Sequence, residues 1–130
     1  MAKKKEKDLE EIAEEMYPWL GKWLYAMPWG WSHSFGLQMC EELNQLLKKY
    51  NLEKEYEVVE IKEKYARLEW YGGLLTEEIS KEYMEWLKKY ETLSTQTCQV
   101  CGEKGKIENI GGGWLACVCP HHKIGFETFM

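Results

Sequence analysis

The spacing of cysteine and histidine between Thr97 and Lys123 restricts this chain more than any other feature. It reads C-x2-C-x17-C-x2-H, with Cys98 and Cys101 as the first pair and Cys119 and His122 as the second. A tight turn carrying two donors two residues apart points both to one side, and two such turns can close a tetrahedron around one metal ion. Between the pairs lie a strand-like KIENI, the glycine run Gly111–Gly113 and a second strand-like WLACVC, so a hairpin is expected to bring the pairs together. A segment of this size buries too little to hold itself together, whereas metal binding is worth on the order of 10 kcal/mol in small zinc modules. The expected cofactor is therefore one structural zinc. Cys117 and His121 are alternates: Cys117 shares a face with Cys119 on an ideal strand, and His121 adjoins His122. Cys119 and His122 are preferred because they repeat the first pair's spacing.

Upstream, the apolar residues Leu9, Ile12, Ala13, Met16, Leu20, Trp23, Leu24 and Met27 fall at helical spacing. Pro18 interrupts them, which predicts a helix from about Asp8 to Met16 and a short second one from Pro18. The charged run from Ala2 to Lys7 reads as a frayed helix start. Met27 to Gly36, with three Pro or Gly breakers, reads as a loop whose Ser32 or Ser34 caps a helix running to Tyr50. Asn51 is a plausible stop for that helix. Two antiparallel strands are expected at about 56–63 and 66–71, ended by Gly72 and Gly73. Thr76 then caps a helix to about Leu93 with Ile79, Tyr83, Trp86, Leu87 and Tyr90 on one face, and the Ser/Thr run 94–97 is a linker. The expected fold class is α+β: helices packed on a small antiparallel β-hairpin, with a C-terminal zinc-ribbon-like knuckle. Residues 1–96 form the helical and hairpin domain, and residues 97–130 an appendix packed on it.

Charge narrows the partners. Arg67 is the one arginine among seventeen basic residues, and the formal net charge is −5. Arginine is the residue that reads phosphate and guanine bidentately, so a generic nucleic-acid binder is disfavoured. No paired-carboxylate site or phosphate loop stands out. Cys40 lies on an apolar helix face and reads as a buried thiol, so it is not expected to act with His33 as a nucleophile and its base. A metal-dependent hydrolase or nuclease would have to draw on His121. The start MAKKKEKDLEE has no apolar run behind it and no stretch reaches membrane-spanning length, so a cytoplasmic protein without membrane contact is expected. Candidate partner-binding residues are Trp29, Trp31 and His33 in the Trp-rich stretch, where core packing competes, and Glu57, Glu60 and Glu63 on the acidic hairpin.

Three segments together, IKEKYARLEWY (61–71), CQVCG and GGGWLACVCPHH, resemble a group of small, poorly characterised bacterial, phage and prophage proteins. In that group a Lys-Glu-Lys-aromatic strand turns into Leu-Arg-aromatic-Tyr, followed by a helix and a Cys-x-x-Cys-Gly tail. This chain departs from the pattern at Ala66 and Arg67, and at Glu69, where an arginine is usual. The resemblance implies a mobile-element context and a zinc ribbon. The expected function is a non-enzymatic accessory protein that binds a host or phage protein, with inhibition of an antiviral nuclease (anti-CRISPR-like) as its specific form. The alternative is a zinc-ribbon nucleic-acid-binding or transcriptional accessory factor using Lys104, Lys106 and Lys123.

Overall fold

A computed structural model describes residues 8–73 and 75–123. The run Ala2 to Lys7 and the last seven residues of the expected appendix lie outside them. The described chain mixes helix and sheet: four α-helices, short 3-10 and π-helical turns, and two separate antiparallel hairpins.

Helix α1 is Leu9–Met16, started by the Asp8 carboxylate, which accepts the Glu11 N–H at 2.8 Å. Pro18 opens a 3-10 turn, Pro18–Leu20, and a second follows at Trp23–Ala26. Met27 to Gly36 is not the expected loop. Helix α2, Trp29–Trp31, passes through a π-helical turn, Ser32–Gly36, directly into α3, Leu37–Lys49. Neither serine caps α3, because α3 has no free N-terminus to cap. Asn51 does end it, in the left-handed conformation with φ 57°.

Strand β1, Glu57–Lys64, pairs with β2, Arg67–Gly73, through the two-residue turn Tyr65–Ala66, both at positive φ. That is the geometry hairpin twist favours, built here without the usual Asn-Gly. Gly72 and Gly73 do not break β2. Gly72 pairs with Val58, and its missing side chain admits the Tyr56 ring, which any Cβ there would hit. A bulge between Val58 and Glu60 lets Val58 and Ile61 both face the core despite their odd separation.

Helix α4, Glu77–Ser94, buries the expected face. Thr76 stands at its N-cap position but makes no side-chain cap bond. The 94–97 stretch is no linker. Ser94 is fully buried and its Oγ accepts the Leu68 N–H at 3.0 Å, while Thr97 Oγ1 donates to Leu93 O at 2.8 Å.

The main core joins α1, α3, α4 and one face of the β1–β2 hairpin through Trp19, Trp31, Tyr56, Trp70, Trp86 and their aliphatic neighbours. Its buried polar tips are paired: Trp70 Nε1 donates to Tyr56 Oη, which lies 2.8 Å from Tyr83 Oη, and Trp86 Nε1 donates to Met39 O. The second hairpin, β3 (Lys106–Gly111) and β4 (Trp114–Val118), closes through Gly112 and Gly113 as expected. Around it lies a separate small cluster of Cys98, Ile110, Ala116, Val118 and Cys119. Among the described residues no helix is long and apolar enough to cross a membrane.

Candidate metal centre

The first knuckle follows α4 directly. Cys98 N–H donates to Glu103 O at 2.7 Å and Gly102 N–H donates back to Cys98 O at 3.0 Å, with Gly102 supplying the positive φ the turn needs. The second knuckle begins where β4 ends. Cys119 leaves the strand and precedes a helical turn at 120–123, with Pro120 in the first helical position and the N–H groups of His122 and Lys123 both bonded to Cys119 O. That turn brings the His122 ring back over Cys119.

The sulfurs of Cys98, Cys101 and Cys119 and a ring nitrogen of His122 all lie within 4.8 Å of one another, close enough to bind one metal ion. Cys101 Sγ is 3.8 Å from Cys119 Sγ, and His122 Nδ1 is 3.6 Å from Cys98 Sγ and 3.1 Å from Cys119 Sγ. These are the four residues the spacing preferred. The alternates are elsewhere. Strand alternation, which paired Cys117 with Cys119, stops at Val118; Cys117 is buried outside the group, and His121 is exposed.

Local electrostatics separate the thiols. Burial opposes ionisation of Cys98, but backbone N–H groups of Cys101, Cys119 and Val100 aimed at its sulfur outweigh it and bring the thiol down to about 7. At Cys101 a backbone N–H from Glu103 favours the thiolate, yet burial and the neighbouring sulfurs raise it. Burial alone pushes Cys40 up to about 12, and burial with the Cys98 charge pushes Cys117 up to about 11. Both are inert thiols by this measure.

Two residues that spacing could not reveal hold the centre in place. Gln99 clamps β4: its N–H donates to Cys117 O at 2.8 Å, and its Oε1 accepts Cys117 N–H at 2.7 Å. Gly30 docks α2 onto the knuckle, donating to Gln99 O at 2.8 Å, and a Cβ there would fall on Cys98 O and 2.6 Å from Gly102 N. A glycine between two tryptophans was the available signal for a close backbone approach; Gln99 carried none.

The expected partner-binding residues divide. Trp31 is fully buried and donates to Thr97 O at 2.9 Å, so it is a core residue and presents no surface. Trp29 is 57% exposed and stacks on His33, ring centroids 3.9 Å apart. Ser32 Oγ, 3.3 Å from His33 Nδ1, donates to Glu10 Oε1 of α1, which joins this aromatic pair to an acidic helix. The phenol of Tyr25, also exposed, is raised first by partial loss of hydration and then by the charges of Asp8, Glu11, Glu14 and Glu10. On the hairpin Glu57 is exposed, Glu60 lies 3.8 Å from Lys62, and Glu63 accepts Ala66 N–H in the turn at 2.7 Å. Lys104 and Lys106 are exposed, whereas Lys123 lies 3.7 Å from Glu108.

Fold and site thus define a mixed helix-and-sheet protein carrying a Cys3His cluster. Comparisons with protein-family models, curated proteins and solved structures find no match to this chain.

Proposed function

We propose that the chain is a zinc-stapled, non-enzymatic protein-binding accessory protein of phage or prophage type. Zinc–sulfur bonds of about 2.3 Å and a zinc–nitrogen bond of about 2.0–2.1 Å at the tetrahedral angle imply S···S edges of about 3.8 Å and S···N edges of about 3.5–3.6 Å. The 3.8 Å Cys101–Cys119 and 3.6 Å Cys98–His122 separations match those edges, and the 3.1 Å Cys119–His122 edge opens by a small ring movement. Three soft thiolates with one imidazole favour zinc over oxygen-seeking magnesium or calcium. Four protein donors complete a tetrahedron and leave no position for a substrate, which supports a structural zinc-ribbon-like role.

The observation that carries the binding role is the exposed aromatic side chains beside α1: the stacked Trp29 and His33, tied to Glu10 through Ser32, and Tyr25, on which the α1 carboxylates act. Aromatic groups ringed by carboxylates suit a basic protein surface, by burial and cation–π contact at the centre and charge at the rim. A nuclease presents such a surface where it holds nucleic acid, so inhibition of a host antiviral nuclease is the specific form of the reading. Affinity capture from host lysate tests it. The expected result is one stoichiometric basic partner that survives nuclease treatment and is lost with Trp29→Ala. Capture that vanishes on nuclease treatment, or steep salt-dependent binding to DNA or RNA, would replace this reading with nucleic-acid binding.

A further inference from the structure

We propose that the outer edge of β2, with the groove between it and α4, takes an extended segment of a partner protein as an added strand, a basic side chain of that segment meeting Glu91. The inference deepens the protein-binding reading and rests on it, while using different residues from the Trp29–His33 surface.

The direction of the free peptide groups follows from the turn. In a two-residue hairpin the closing pair, here Lys64 and Arg67, exchanges ladder bonds, and bonding alternates from there. Arg67, Glu69 and Tyr71 therefore bond to β1, and the N–H and C=O of Leu68, Trp70 and Gly72 point away. The bulge lies on β1, so this alternation runs unbroken along β2. Leu68 checks it independently: its N–H donates to Ser94 Oγ of α4, at 3.0 Å. Ser94 covers the edge at Leu68 only. Among the described residues Trp70 and Gly72 make no backbone hydrogen bond outside the hairpin. Beside them lies a groove of about 390 Å³, walled by residues 67–72 of β2 and by Tyr83, Leu87 and Glu91 of α4.

Outward N–H and C=O groups at a two-residue period are matched by one kind of occupant, an extended backbone. Charge selects its side chains. Glu91 is half-buried in the groove wall and has no ion-pair partner among the described residues. Its charge acts on Tyr71 together with those of Glu69 and Glu60. Lys62 stands between Glu60 and Glu69, at 3.8 and 3.9 Å, and Arg67, which lines the same groove, makes no ion pair with Glu91, so the groove's two carboxylates outnumber its one cation. A second copy of the chain would bring another Glu91 and another net charge of −5 to the same edge, so the fitting occupant is a basic segment of a different protein.

The test is amide NMR of the metal-loaded full chain titrated with a synthetic alternating Lys-Val hexapeptide. Shift changes and slowed exchange at Trp70 and Gly72 are expected. They should be lost when alternate peptide nitrogens are methylated, and Glu91→Lys should weaken binding about tenfold. Unperturbed Trp70 and Gly72 amides at millimolar peptide, or equal binding of the methylated peptide, would overturn the inference. Dimerisation of the free chain with those two amides protected would overturn it in favour of a second copy. Capture of the host partner that Glu91→Lys leaves intact and Trp29→Ala abolishes would also overturn it, yet leave the protein-binding reading standing; a parent chain that captures nothing overturns that reading itself.

Discussion

Gly30→Ala is the substitution that most directly probes how the helical body holds the metal knuckle. A methyl at this position lands on Cys98 O, 2.6 Å from Gly102 N and 2.8 Å from the Gln99 carbonyl carbon. All three are backbone atoms of a tight turn and cannot rotate aside, so α2 and the knuckle must separate by more than about an ångström to restore van der Waals contact. Overpacking of this kind costs about 1–3 kcal/mol. The same separation breaks the 2.8 Å bond from Gly30 N–H to Gln99 O, a further loss of about 1 kcal/mol. Replacing glycine in a helix returns about 1 kcal/mol at most, for a net destabilisation of about 1–3 kcal/mol. Gly36→Ala is the control. It lies inside the same continuous helical run, at φ −56° and ψ −49°, and its Cβ would meet nothing nearer than 3.5 Å. That variant should match or exceed the parent by about 0.4–1 kcal/mol. Urea denaturation of the metal-loaded proteins, followed by tryptophan fluorescence, measures both. Gly30→Ala within about 0.5 kcal/mol of Gly36→Ala would refute the docking argument, since packing strain predicts a larger gap than propensity alone.

Other outcomes follow from the same geometry. Metal analysis should find one zinc per chain, lost in Cys98→Ser and Cys119→Ser and kept in Cys40→Ser and Cys117→Ser; zinc retained without Cys98, or lost without Cys117, would overturn the ligand set. Glu42 is opposed by burial but held below its ordinary range by Lys89 and Tyr90. A depressed carboxyl stabilises above its unfolded value and loses that contribution as pH falls through the folded one. Glu42→Gln should therefore cost, after solvent screening, about 1 kcal/mol near pH 6 and progressively less toward pH 3 in urea titrations, whereas a pH-independent penalty would refute the charge assignment. Tyr65, 72% exposed at φ 52°, has little burial to lose, so Tyr65→Asn should raise stability by up to about 1 kcal/mol; a loss would show that its ring is packed.

What was legible in the sequence was what short-range chemistry decides. Ligand spacing fixed the Cys3His group because each knuckle is a local turn, and the apolar face of α4 was legible because 3.6-residue periodicity needs no partner to show. The Trp-rich stretch was misread for the opposite reason. Pro28, Gly30 and Gly36 argue against a helix locally, but tertiary contact decides: Gly30 is there to meet Gln99 O, and the absence of a side chain that weakens a helix is what permits the docking. Gly72 repeats the lesson on a strand, where a breaker turned out to be a seat for the Tyr56 ring. The bulge between Val58 and Glu60 left no trace in composition, since β-branched residues occupy both faces of β1.

The same contacts tie the metal centre to the surface proposed for binding. Helix α2 has only three residues and no side-chain cap. Its first turn is held by Pro28 O from within, by Gln99 O on Gly30 from the knuckle, and by Thr97 O on Trp31 Nε1. Trp29 precedes Gly30 directly and stacks on His33 one turn later. A bound ion would fix the sulfurs of Cys98 and Cys101, and with them the Thr97 and Gln99 carbonyls that position α2. Removing the ion would free those carbonyls, and α2, the first turn of the continuous run into α3, would lose both bonds that hold it from residues 97–99. Chelation should therefore shift the Trp29 indole N–H and the His33 ring resonances while leaving Trp86, bonded to Met39 O within the main core, unmoved. Partner affinity should fall in step with the Trp29 shift, although none of the four ligands need touch the partner. A Trp29 resonance indifferent to chelation would separate the two sites and reduce the metal to a local staple of the second hairpin.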